Sequence, residues 1–400
     1  MKKSFLLTFV ILSIFVSNAQ ELIFSDSAVV SLITCSPGPE VYEKFGHTAI
    51  RIKDISKKMD VVFNYGIFDF EMENFYYKFI KGETDYQLGV YYTGNFLASY
   101  GQRNSSVWEQ TLNLTVLEKK KLMNFLLVNY EPENRLYRYN FVFDNCATRP
   151  RDKILSSING FVQFKYQIEQ KTFRQWIGVY VGTDTWLKFG IDVIFGIDAD
   201  KFASVNESMF LPEVLMNEFQ TTSITTSNEQ NRKLVGEKKV LINQSKSNET
   251  DSQLLLKPYI LSFVLLLIGV LITIWDVLRR KHFKLFDSII FILSGIAGII
   301  VAYLMFFSLH PLVKSNLNIL WLNPLNIIIG ILIWFKRLRK WMFIYQIFYI
   351  LSLVIALIAL ALSVQVFNNA AFPLIVVLLI RSTSWFAHLK HKLFKNNVLG

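Results

Sequence analysis

Tyr137-Arg-Tyr-Asn-Phe-Val-Phe-Asp-Asn-Cys-Ala-Thr-Arg-Pro-Arg-Asp152 is the stretch on which the reading of this 400-residue chain turns. Residues 137–143 carry a strand pattern, and Pro150 suits the first turn of a helix that follows. Cys146 therefore stands where a strand gives way to a helix, near unpaired amide N–H groups and the positive end of a helix dipole. Such groups stabilise a thiolate and can receive an oxyanion. Asn145 adjoins the thiol, and Arg149 and Arg151 add positive potential.

A thiol nucleophile needs a base, and the chain has five histidines. His282, His388 and His391 fall among basic loops of the C-terminal part and His310 at the mouth of an apolar segment, which leaves His47 alone in the N-terminal part. One histidine cannot build a multi-histidine metal centre, and no metal or other cofactor is expected. Phe45-Gly-His-Thr-Ala-Ile-Arg-Ile52 alternates as a strand, with His47, Ala49 and Arg51 on one face. Two readings stand beside each other. His47 is a hydrogen-bonded structural histidine and Cys146 half of a disulfide with Cys35, the other cysteine; or the lone thiol and lone imidazole form a Cys/His nucleophilic pair.

Outward from these motifs, strands are expected at 28–34, 45–53, 60–66, 85–92, 105–112 and 137–143, and helices at 70–81, 115–130 and 147–158. The helix at 115 opens on Thr115-Val-Leu-Glu118, a capping box. This makes an α+β domain over residues 20–220. Before it, Lys2 and Lys3, an apolar run and Ser17-Asn-Ala19 read as a signal peptide cleaved after Ala19. After it, the Thr/Ser/Asn/Gln/Lys-rich residues 221–257 read as a polar linker.

From Pro258 to the end the character changes. Residues 258–400 hold 13 Lys/Arg against 2 Asp/Glu, whereas residues 1–257 hold 29 of each, so the net charge of +11 belongs wholly to the last third. Mean hydropathy is +0.33 and 35 phenylalanines exclude a solvated disordered chain. Five apolar segments, 258–278, 288–309, 319–335, 341–364 and 370–386, each approach the ~20 residues a membrane helix needs, giving an all-α five-helix bundle. Arg381 interrupts the last and must snorkel or face the bundle. Eleven basic residues lie in alternate loops and only Lys314 in the others. That places the C-terminus in the cytoplasm and the 20–220 domain across the membrane, and it accounts for the basic balance without nucleic acid.

Between the second and third segments, His310, Asn316, Asn318, Trp321, Asn323 and Asn326 crowd one loop. Asparagines are costly near hydrocarbon unless paired, so the loop is either a capped interfacial turn or a platform for a lipid headgroup or substrate.

A histidine strand preceding an Asn-Cys helix start resembles the circularly permuted papain-like fold of lecithin:retinol acyltransferase and its relatives. The longer string is more specific: Thr34-Cys-Ser-Pro-Gly38, Phe45-Gly-His-Thr-Ala-Ile-Arg51, Phe63-Asn-Tyr-Gly-Ile-Phe-Asp-Phe70, Glu109-Gln-Thr-Leu-Asn-Leu114, Asp144-Asn-Cys-Ala-Thr-Arg-Pro-Arg-Asp152 and Phe210-Leu-Pro212. With the multi-span tail, these resemble the Lnb-type lipoprotein N-acyltransferases of Bacteroidota. The resemblance implies a periplasmic catalytic domain on the inner membrane, with Cys146 as nucleophile and His47 as base. Asn145, Arg149 and Tyr65 are candidates to orient them or hold the oxyanion. It also implies diacylated lipoproteins and membrane phospholipid as partners. A thiol–imidazole pair hydrolyses amides equally well, so a cell-wall peptidase or amidase is the alternative, followed by a membrane-tethered binding module.

Overall fold

The computed structural model describes residues 24–165, 169–226, 230–244 and 257–394. The signal-peptide assignment falls outside them.

The N-terminal half is built on ten strands: β1 (Val29–Cys35), β2 (His47–Asp54), β3 (Met59–Ile67), β4 (Asp85–Tyr92), β5 (Val107–Leu112), β6 (Leu136–Arg138), β7 (Phe161–Gln163), β8 (Ser223–Thr225), β9 (Asn231–Lys233) and β10 (Val235–Ile242). Seven form an antiparallel sheet in the order β10-β5-β1-β2-β3-β4-β6, and β7-β8-β9 form a small second sheet. Its helices are α1 (Phe75–Lys81), α2 (Thr93–Gln102), α3 (Val116–Tyr130), α4 (Thr148–Ser157), α5 (Phe173–Val181), α6 (Trp186–Ile194), α7 (Val205–Ser208) and α8 (Pro212–Thr221).

The central strand β1, Val-Val-Ser-Leu-Ile-Thr-Cys, is apolar on both faces because both are covered. Val30 and Leu32 join Ile50, Ile52 and Phe63 in the main core, where α3 contributes Leu122, Met123 and Leu126. Ile33 and Cys35 join Ala49, Val62 and Phe96 of α2 in a smaller core on the opposite face. The capping box of α3 is present, Thr115 receiving the Glu118 N–H and Glu118 receiving the Thr115 N–H.

Two expectations are corrected here. The strand expected over 137–143 stops at Arg138, because Asn140 and Asp144 close a turn through a reciprocal pair of backbone hydrogen bonds. The segment from 221 is not a linker throughout: β8 and β9 complete the small sheet, and β10 pairs along β5 as the edge of the large one. Glu237, Lys238 and Lys239 are exposed on that edge, so the strand looks polar in sequence.

The C-terminal half holds α9 (Pro258–Arg279), α10 (Lys284–Phe307), α11 (Asn326–Leu332), α12 (Arg339–Ala361) and α13 (Ala371–Phe394). Among the described residues four helices, not five, are long and apolar enough to span a membrane. The third expected span resolves into a 3₁₀ turn at Leu317–Leu320, an irregular stretch and the seven-residue α11. Asn323-Pro324 breaks the helix, and the freed backbone is satisfied by neighbours: Tyr349 Oη donates to the Trp321 carbonyl at 2.7 Å and Ser352 Oγ to the Leu320 carbonyl at 2.7 Å. Irregular backbone survives among apolar helices only when buried in protein this way. Two glycines of α10 make the room, since a Cβ on Gly298 would overlap the Leu322 carbonyl and one on Gly295 would press on the Ile327 amide. Arg381 faces the bundle, its guanidinium bonded to Asp287 and Asp276, so three helices meet on one fully buried charge.

The two halves are fastened at the level of α1 and α6. Asn316 and Asn318, each 2 % exposed, donate to the main-chain carbonyls of Asp192 and Val193. Gln365 donates to the Phe195 carbonyl and Asn368 to the Asp192 carboxylate. On the other side, the Leu309 N–H donates to the Lys81 carbonyl and His310 Nε2 to the Phe79 carbonyl.

Candidate active site

β2 and β3 pair from Asp54–Met59 up to Ile50–Phe63, and no pairing is made beyond that point. The strands splay, and the start of α4 enters the gap from the main-core side. Gly66, at φ +89°, lets the backbone turn there, and a Cβ on it would lie 3.2 Å from Cys146 Cβ and 3.8 Å from His47 Cε1. Thiol and imidazole thus flank one glycine, although one comes from the loop before α4 and the other from a strand of the sheet.

His47 is oriented by its neighbours. Its Nε2 bonds Asn64 Oδ1, and its ring stacks on Tyr100 of α2 at 6.0 Å. With an amide oxygen as acceptor, Nε2 carries the ring proton and Nδ1 is left as the basic nitrogen. Burial holds the His47 pKa down at about 4, so the imidazole is neutral at working pH. Burial likewise pushes the Cys146 thiol up to about 11, although N–H groups of Thr48 and of Cys146 itself point at the sulfur and pull the other way. The resting pair is therefore an uncharged thiol beside an uncharged base.

The loop before α4 is pinned by Asn145. Its Oδ1 accepts from the Ala147 and Thr148 amides and its Nδ2 donates to the Phe141 and Phe210 carbonyls. This is helix capping, and it occupies two of the amides that the sequence offered to an oxyanion. Arg149 grips Asp144 through two hydrogen bonds and lies 3.6 Å over the Tyr137 ring, so it braces the turn rather than reaching the thiol. Tyr65 points into the main core and donates to Asn129 at 2.8 Å, away from His47. Both cysteines are free; Cys35 is buried opposite His47 in the β1–β2 register.

Two residues escaped the sequence reading. Asn64 was findable: continuing the β2–β3 register sets it opposite Ala49, on the face shared with His47. Tyr137 was not, since its relevance is an orphaned hydroxyl. That oxygen is buried, has no hydrogen-bond partner, and would sit 3.9 Å from a Cβ on Gly66.

The pair opens onto a cavity of about 850 Å³, lined by His47, Asn64, Gly66 and Cys146, by many aromatic side chains and by polar ones such as Asn95, Ser99 and Arg103. Of the loop residues expected to form a platform, Asn316 and Asn318 are spent on the seam between the halves. Trp321 is 2 % exposed and donates to Asn318, Asn326 is buried against Ser294 and Tyr349, and Asn323 closes a local turn onto the Leu325 amide. Asn316, Asn318, Trp321 and Asn326 are thus paired within the protein, and His310 bonds the Phe79 carbonyl through Nε2.

No curated protein and no solved structure gives a significant match to this chain. Two family models match it: the Lnb N-terminal periplasmic domain over residues 17–178 and the Lnb transmembrane domain over residues 249–393. A periplasmic sheet domain with a thiol–imidazole cleft, fastened to an apolar helical bundle, is thus an Lnb-type membrane protein, and the chain belongs to that family.

Proposed function

We propose that this protein is a lipoprotein N-acyltransferase of the bacterial inner membrane, with its C-terminus in the cytoplasm. It moves a fatty acyl chain through a thioester on Cys146 to the N-terminal amine of a diacylglyceryl-cysteine lipoprotein. The observation that carries the reading is the position of Cys146, His47 and Asn64 on the wall of a largely aromatic cavity beside the membrane bundle. A papain-like arrangement of thiol, imidazole and amide fits the same geometry.

Nδ1 of His47 takes the thiol proton as sulfur attacks the ester carbonyl, and the same proton passes to the departing alcohol. The Cys146 N–H and the Tyr137 hydroxyl receive the oxyanion. The lipoprotein amine, with a pKa near 8, is partly neutral at pH 7; it attacks the thioester, gives its excess proton to His47, and releases sulfur as thiolate, which recovers the proton. An uncharged resting pair suits a site that must exclude water, because hydrolysis of the thioester would waste the acyl chain. The membrane half has a matching purpose. Exposing an acyl chain to water costs about 0.8 kcal/mol per methylene, so the thiol must work at the bilayer surface. A peptidase acting on cell-wall peptides would have no need of this cavity.

The test is mass spectrometry of lipoprotein N-termini from cells with and without the protein. Triacylated termini should be replaced by free-amine diacylated ones when it is removed; unchanged acylation would overturn the reading. Tyr137→Phe should lower kcat about 10²-fold, the lower range for losing one oxyanion donor. It should leave Tm almost unchanged, because the hydroxyl it deletes has no partner to lose.

A further inference from the structure

From the thiol, a run of stacked and edge-on rings leads to the bilayer. Tyr139 and Tyr86, which line the same cavity as Cys146, stack at 4.0 Å. Tyr86 stacks on Phe68 at 4.9 Å, Phe68 on Phe75 at 5.7 Å, Phe75 on Phe79 at 6.1 Å, and Phe79 meets His310 at 6.0 Å. The rings from Tyr139 to Phe79 all line the one cavity that holds Cys146. Phe75 and Phe79 belong to α1, Phe-Tyr-Tyr-Lys-Phe-Ile-Lys81. This helix is bonded to the end of the α10 span, through Lys81 to Leu309, Ile80 to Ser308 and Phe79 to His310.

The same helix exposes aromatic and basic groups together. Tyr76 is 72 % and Phe79 43 % exposed, beside Tyr77 and Ile80, and Lys78 and Lys81 flank them. Aromatic rings with lysines suit the depth of lipid headgroups, and α1 sits at the height where the α10 span ends. Other lining residues are polar, among them Asn95, Ser99, Ser105 and the Arg103–Glu43 ion pair. The ring series is thus an apolar part of the cavity wall that runs to α1, beside the end of the α10 span.

We infer that α1 is the threshold across which a fatty acyl chain of a glycerolipid passes from the periplasm-facing leaflet, and that the ring series from Phe79 to Tyr139 is the groove that holds the chain with its ester carbonyl at Cys146. The inference rests on the acyl-transfer reading and adds the route and the chain-binding residues. The polar lining residues are left to the alcohol side of the donor and then to the incoming amine.

The experiment uses the full chain in nanodiscs containing phosphatidylethanolamine and, separately, a water-soluble p-nitrophenyl acetate donor; the rate of thioester formation on Cys146 is read by intact mass. Phe79→Asp and Tyr76→Asp put a carboxylate on the threshold. Each should lower the ratio of lipid-donor rate to soluble-donor rate at least tenfold. Phe79→Leu, which keeps the surface apolar, should hold the ratio within about threefold of wild type, and Ile55→Asp, on the exposed β2–β3 turn, should not change it. An unchanged ratio in both aspartate variants, including equal loss with both donors, overturns the inference, as does an equal fall in Ile55→Asp. A wild-type protein that forms no thioester with either donor is a different result and sinks the acyl-transfer reading itself.

Discussion

Cys146→Ala is expected to abolish N-terminal acylation while leaving the protein folded and inserted in the membrane. The thiol occupies the gap where β2 and β3 part, and the elements around it are held by others: the loop by Asn145, the turn by the Arg149–Asp144 pair, the strands by the core. Losing one sulfur removes only a small volume, at a cost of about 1 kcal/mol. With no thioester, no acyl group is held for transfer, and the loss should be total rather than partial. Cys146→Ser should be nearly as inactive, since a hydroxyl is far harder to deprotonate than a thiol already raised to about 11. Cys35→Ala should retain most activity, because Cys35 is a free, buried side chain of the smaller core. Lipoprotein N-terminal mass spectra for the three variants decide the matter. Equal damage from Cys35→Ala and Cys146→Ala, with a bridge seen on a non-reducing gel, would put a disulfide in place of the nucleophile.

His47→Ala should cost at least ~10²-fold in turnover, the usual value of a positioned base. The pH behaviour is the sharper measurement. A histidine near 6.5 would make the rate of Cys146 acylation rise through pH 6.5, whereas a site that holds His47 down at about 4 keeps it basic over the whole range from 5 to 8. Acylation from an ester donor should therefore show no step near 6.5. Transfer to an amine acceptor should climb toward pH 8 with the acceptor's own deprotonation. The same shift has a sign for stability: the folded pKa lies below the unfolded one, so the neutral imidazole's contribution is complete above about 6.5 and is lost as pH falls toward 4. His47→Ala should flatten the loss of Tm across that window. A step at 6.5 in the wild-type profile, or wild-type turnover in the variant, would return His47 to a structural role.

Much of the fold was legible where one physical signal dominated. β1 to β5 alternate or run apolar, α3 announces itself by its capping box, and Cys146 and His47 stood out as single residues on defined elements. The failures share a cause, which is that the deciding contact is remote in sequence. β10 carries an edge strand's polar face and gains its identity only from β5, more than a hundred residues earlier. α2 contains Gly94 and Gly101, poor helix formers, and is fixed by packing Phe96 under the sheet. The third apolar segment has the hydropathy of a span, but its Asn-Pro break is tolerated because α10 is glycine-lined and α12 supplies Tyr349 and Ser352. The asparagines of the same loop had two ways to be satisfied, by lipid headgroups or by protein carbonyls, and composition does not distinguish them. At the site, Arg149 and Tyr65 were named from the family motifs and bond Asp144 and Asn129 instead, whereas Asn64 and Tyr137 lie beside His47 and Gly66 through proximity in space.

The fastening between the halves also sets an order of assembly. The carbonyls of Asp192, Val193 and Phe195 and the carboxylate of Asp192 belong to the part of the chain that leaves the ribosome first, and their partners Asn318, Gln365 and Asn368 emerge up to 176 residues later. Until the final helices have inserted, the Val193 carbonyl lacks its Asn316 and Asn318 donors, and Asp192 and Phe195 are held only by Arg174 and Lys188 of the same half. The seam is thus completed from the carboxyl-terminal end, and a chain stopped before Gln365 is expected to be degraded faster than the full-length protein because it lacks the Gln365 and Asn368 bonds.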